Sequence, residues 1–100
     1  MTDYEFLETA QIELEEEVKY YNAQEAGLGY DFAREVADTI GRVLRYPEAW
    51  PKLSKRTRRC RTKRFPYSVV YQTRGDKILI VAVAHLKRKP WYWRDRVNSI

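Results

Sequence analysis

Tyr67-Ser68-Val69-Val70-Tyr71-Gln72-Thr73-Arg74-Gly75-Asp76-Lys77-Ile78-Leu79-Ile80-Val81-Ala82-Val83-Ala84-His85 is the stretch on which the fold turns. Its first part, Tyr67 to Thr73, is rich in valine and tyrosine, side chains that suit a pleated surface. Gly75-Asp76 is a turn signal, and Lys77 to His85 contains the longest apolar run of the chain, Ile78 to Ala84. Two such runs about a glycine turn predict an antiparallel hairpin. The apolar run is far shorter than the ~20 residues that cross a bilayer as a helix, and it suits a buried strand.

Outward from the hairpin, Arg58 to Phe65 alternates weakly, is strongly basic and predicts an outer strand that Pro66 interrupts. Pro47-Glu48-Ala49-Trp50-Pro51 is a rigid link. Before it, Leu28, Phe32, Val36, Ile40 and Val43 or Leu44 recur at helical spacing, and Pro47 ends that helix by Tyr46. An earlier helix carries Ala10, Leu14, Val18 and Tyr21 on one stripe, with Thr9 as N-cap or a start nearer Glu8. Glu13, Glu15, Glu16 and Glu17 are expected on its solvent face. Gly27-Leu28-Gly29 turns one helix into the next, so the two pair as a hairpin. Tyr4 to Leu7 can form a first strand, and Pro90 opens a basic-aromatic tail, Trp91 to Arg96. The predicted fold is α+β over residues 1–100 as one domain. It has a short N-terminal strand and an antiparallel helical hairpin packed on a small antiparallel β-sheet, followed by the short C-terminal tail.

The charges are sorted by position. Residues 1–50 hold twelve carboxylates against four cations, net −8, and residues 51–100 hold fifteen cations against two carboxylates, net +13, which together make the chain's +5. A +13 half raises the on-rate and affinity for a polyanion, whether nucleic acid, a ribosome or an acidic protein segment. The alternative is a solvated surface whose halves neutralise each other in the fold. With 44% apolar and 14% aromatic residues the chain is not disordered. No secretory signal pattern is read at its start, and lone Cys60 has no partner for a disulfide, so a reducing cytoplasm is expected. One cysteine with one histidine builds no zinc site, and no metal, cofactor, membrane contact or small-molecule substrate is expected.

On the basic strand Arg59, Arg61 and Lys63 alternate toward one face, with Arg58, Cys60 and Thr62 toward the other. Cations in a row, with Tyr71, Trp91, Tyr92 and Trp93 nearby, are what phosphate contacts plus base stacking require. The competing reading is that the aromatics close the core and the cations keep an edge strand soluble. Arginines around Cys60 favour thiolate, but no base partner is evident. His85 reads as a structural hydrogen-bonder. The contact residues expected from this reading are Arg59, Arg61, Lys63, Arg64, Lys87, Arg88, Trp91, Tyr92, Trp93 and Arg94. They converge if the tail follows a strand lying beside the basic one.

Several ordered segments resemble the RelE/ParE superfamily of bacterial toxins. They are Glu17-Val18-Lys19-Tyr20-Tyr21, Gly27-Leu28-Gly29 with Phe32, and Tyr46-Pro47-Glu48-Ala49-Trp50-Pro51. Then come Arg64-Phe65-Pro66-Tyr67, Val70-Tyr71, Val81-Ala82-Val83-Ala84-His85 and Pro90-Trp91-Tyr92-Trp93. The resemblance spans the chain and implies the toxin of a type II toxin–antitoxin pair, silenced by a cognate antitoxin. It implies one of two targets: RelE-like members cut mRNA on the ribosome, and ParE-like members poison DNA gyrase. For a nuclease it would assign Arg59, Arg61, Arg88 and Tyr92. However, Ser68 stands where RelE-like members carry an arginine, and the C-terminal tyrosine position falls on Arg94. Those departures favour the ParE-like target. A general nucleic-acid-binding module is the third reading.

Overall fold

The computed structural model describes residues 3–97. Its elements are β1 (Asp3–Phe6), α1 (Glu8–Gln24), α2 (Leu28–Arg45), β2 (Thr57–Arg61), β3 (Tyr67–Arg74), β4 (Lys77–His85) and a 3-10 turn at Arg94–Arg96. The sheet order is β1-β4-β3-β2. β2, β3 and β4 are antiparallel to one another, but β1 runs parallel to β4, pairing Asp3 with Lys77 through Phe6 with Ile80. The sheet is therefore mixed, where a wholly antiparallel one was expected. The strand at the N-terminus has no tight turn to a partner, so its direction is set by where the helices return the chain.

Leu7 caps α1 without a side-chain hydrogen bond, so Thr9 falls inside the first turn and is not the cap. The Leu7 N–H continues the β1 ladder onto Ile80 O at 2.9 Å, while its own carbonyl accepts from Gln11 N–H at 3.0 Å. One residue thus ends the strand and starts the helix. Gly27 takes a left-handed φ of 88° before α2, where a Cβ would be strained. At Gly29 a Cβ would lie 2.1 Å from Val18 O, and the Gly29 N–H donates to Asn22 Oδ1 at 2.7 Å. The hairpin of helices closes on that missing side chain. α2 buries Phe32, Val36, Ile40 and Val43, as its spacing predicts.

β2 stops at Arg61, short of the expected Phe65. The Thr62 N–H reaches Tyr67 O at 3.0 Å, and its hydroxyl lies 2.7 Å from Phe65 O. Phe65 takes a φ of 73°. That turn swings the Phe65 ring into a cluster with Tyr21 and Phe32, centroids 5.1 and 5.2 Å away. Burial of an aromatic ring outweighs the strain of one left-handed residue.

Both faces of the β3–β4 hairpin are covered, which explains why its apolar run does not alternate. On one face Cys60, Val69, Tyr71, Ile78, Ile80 and Val83 pack under the helices. On the other, Val70, Leu79, Val81 and Ala82 pack with Trp93, Leu53, Tyr92 and Val97. A bulge lies between Val70 and Tyr71 in the β3–β4 register.

Candidate basic-aromatic interface

Because Cys60 is buried against the helices, its β2 neighbours Arg59 and Arg61 point to the opposite face, and both are exposed. Arg59 stands across from Val70 and Arg61 from Ser68. Lys63 does not join them. It lies beyond the strand, its N–H donates to Glu35 Oε2 at 2.8 Å, and it borders a groove with Asp38 and Arg45 of α2. Arg64 also turns toward the helices, 3.8 Å from Asp31 and 5.0 Å from the Phe65 ring centroid. The alternation that would have aligned Lys63 with Arg59 and Arg61 ends where Thr62 closes the turn.

The tail does not follow a strand beside β2, since β3 separates β4 from β2. It reaches the basic face by passing beneath the sheet. Trp91 takes a φ of 73°, and tight turns from Arg94 N–H to Trp91 O (2.9 Å) and Arg96 N–H to Trp93 O (3.0 Å) coil the chain. This places Trp93 against Val70 and Val81, only 5% exposed. Trp93, expected to contact a target, is instead part of the core, because the sheet's second face needs an apolar cover. Tyr71 is likewise not available for stacking. It is fully buried on the helical side, its hydroxyl donates to Pro47 O at 2.6 Å, and burial pushes its pKa up to about 12.

Tyr92 is half-buried and its hydroxyl donates to Glu13 Oε2 at 2.8 Å. Burial first, and then that carboxylate, raises the phenol above its ordinary pKa. Arg96 clasps the same carboxylate through two 2.8 Å hydrogen bonds, and Glu13 Oε1 also accepts from Val83 N–H at 3.1 Å. Arg96 further donates to Val81 O at 3.0 Å. Together they close the stretch of β4 that lies beyond its pairing with β1. Glu13 is thus not a solvent-face carboxylate. Its position three residues after Ala10 and four before Glu17, at the border of the apolar stripe, was the available signal. Glu17 is similar, accepting from the Tyr67 hydroxyl.

The exposed members of the interface are Arg59, Arg61, Lys87, Arg88, Lys89, Trp91 and Arg94. Arg88 lies 4.0 Å from the Tyr92 centroid and Arg94 5.4 Å from that of Trp91, which is 42% exposed. Such stacking holds guanidinium groups in place while they face solvent. His85 Nδ1 accepts from Lys87 N–H at 3.0 Å, the structural role expected of it. Ser68 is buried below the interface, and its hydroxyl has no hydrogen-bond partner. Cys60 departs from expectation: burial raises its thiol pKa despite Arg42, so thiolate is disfavoured. Lys89 and Leu53, which border the same cleft as Arg59 and Arg88, carried no sequence signal.

A family profile described as the ParE toxin of the type II toxin–antitoxin system parDE matches residues 4–90. The chain belongs to the ParE toxin family. Among solved structures, a chain of the chromosomal ParDE toxin–antitoxin system from P. aeruginosa superposes with a TM-score of 0.69 at 14% identity. The superposition covers 87% of this chain and 98% of that one, and at such identity it shows a shared fold. No curated protein sequence matches. For this ParE-family chain the profile match stops at residue 90, so Trp91, Tyr92, Trp93, Arg94 and Arg96 lie outside it. Membership implies an antitoxin partner. Among the described residues no helix is long and apolar enough to cross a membrane.

Proposed function

We propose that this chain, acting as one toxin domain in the cytoplasm, arrests bacterial growth by binding and poisoning DNA gyrase, and that its antitoxin relieves the arrest. The observation that carries the choice of target is Ser68. Where the resemblance to RelE-like nucleases calls for an arginine, this chain has a buried serine, on a strand whose face is covered by its own tail. The nearby tail tyrosine, Tyr92, has its hydroxyl engaged by Glu13. A positioned cation lost from phosphoryl chemistry costs on the order of a hundredfold in rate. Ribosome-dependent mRNA cleavage remains the second reading, supported by Arg59, Arg61 and Arg88, whose charge survives at family positions. A general nucleic-acid-binding module is the third.

Inducible expression without the antitoxin should arrest growth, and purified protein should inhibit gyrase supercoiling while messages stay intact. Codon-periodic cuts in translated messages would overturn the gyrase reading. Arg59→Ala with Arg61→Ala should abolish arrest and shift stability by no more than about 0.5 kcal/mol, as exposed charges do. Full arrest by that folded variant would remove the basic row from the target surface.

A further inference from the structure

Beneath the tail, on the sheet face away from the helices, lies a cleft of about 160 Å³. Its walls are apolar, made by Leu53, Val70, Ala84 and Trp91, and its rim is basic, made by Arg59, Arg88 and Lys89. Ser68 lines the same cleft, 4% exposed, with a hydroxyl that meets no partner. We infer that this cleft seats one tyrosine side chain from an acidic peptide segment. This rests on the reading that an acidic antitoxin segment covers the basic half.

Three features point to that occupant. A cavity near 150 Å³ holds one benzene ring, so the volume admits a single ring and little more. An orphaned buried hydroxyl is costly, and a phenol O–H reaching Ser68 Oγ would satisfy it without bringing a second polar group. A nucleobase is the wrong filling, because its edge presents several donors and acceptors and the cleft answers with one hydroxyl. The rim then selects what flanks the ring. Three cations in a half-chain of net +13 favour carboxylates on either side of it.

The test uses the full chain and three synthetic heptapeptides, Asp-Glu-Asp-X-Glu-Asp-Glu with X as Tyr, Phe or Ala, with heptauridylate as the nucleic-acid probe. Binding is read from the fluorescence of Trp91 and Trp93. The tyrosine peptide should bind about tenfold or more tightly than the alanine one, as burial of a ring predicts, with phenylalanine between. Ser68→Ala should bring tyrosine and phenylalanine level. Ala84→Leu, which fills the cleft, should remove the ring's advantage and leave alanine-peptide binding as it was. Equal binding of the tyrosine and alanine peptides overturns the assignment. So does tighter binding of heptauridylate that Ala84→Leu abolishes. Peptide discrimination in a protein that does not arrest growth would uphold the cleft and sink the toxin reading, and arrest without discrimination would do the reverse.

Discussion

At the scale of single residues, Glu13 carries the most consequence. Its carboxylate accepts four hydrogen bonds, from Val83 N–H, Tyr92 O–H and both terminal nitrogens of Arg96. The Glu13 and Arg96 side chains are each 18% exposed, so the pair is largely desolvated and well formed. Removing one partner leaves the other charge poorly solvated, together with an unpaired amide and phenol. Glu13→Ala should therefore cost about 2–4 kcal/mol in urea unfolding. The tail should also become more sensitive to trypsin at Arg88 and Arg94. A loss below about 0.5 kcal/mol would mean that burial of Trp93 alone holds the tail. The same clasp means that cutting the chain after Pro90 is not a clean test of the interface, since it removes Trp93 and Arg96 from the fold.

At the scale of elements, the helical hairpin depends on close approach at Gly29. The Val18 carbonyl stands 2.1 Å from where a Cβ would be, and backbone cannot move aside cheaply. Gly29→Ala should destabilise by about 1–3 kcal/mol or more through overpacking. Gly41 is the control in the same helix. A Cβ there meets nothing within 4 Å, so Gly41→Ala should stabilise by about 0.5–1 kcal/mol through the lost flexibility of the unfolded chain. Opposite signs in thermal unfolding would establish that contact across the hairpin, not helix propensity, governs Gly29. If both substitutions stabilise, the helices do not approach as described.

At the scale of the whole molecule, the charge asymmetry of the sequence becomes an asymmetry of layers. Glu13, Glu16 and Glu17 belong to α1 above the sheet, and Arg59, Arg88 and Arg94 surround the cleft beneath it. Three phenols tie these layers into one titrating system. Tyr67, Tyr71 and Tyr92 all have raised pKa values, chiefly through burial. The folded state keeps protons that the unfolded chain releases from about pH 10. Stability is thus intact below pH 10 and falls as pH rises through about 12. Phenolate absorbance from these three should appear together with loss of the far-UV circular dichroism signal. Ionisation of all eight tyrosines with the dichroism unchanged would show that they are not buried as described.

The sequence by itself determined the helical stripe from Phe32 to Val43, the stop before Pro47, the Gly75–Asp76 hairpin and the outward row of Arg59 and Arg61. Each rests on periods and turn chemistry that act between near neighbours, and these are visible in a string of residues. Only the tertiary structure decided that β1 runs parallel to β4, that Lys63 and Arg64 turn toward α2, and that Trp93 and Tyr71 are core. It also decided that Glu13 meets Val83 and Arg96, 70 and 83 residues away. Composition supplied the right chemical types for these contacts but not their partners. The entropic cost of closing a loop grows only slowly with its length, so distance along the chain scarcely restricts which segments meet. Packing makes that choice, and it does so only when every layer is in place.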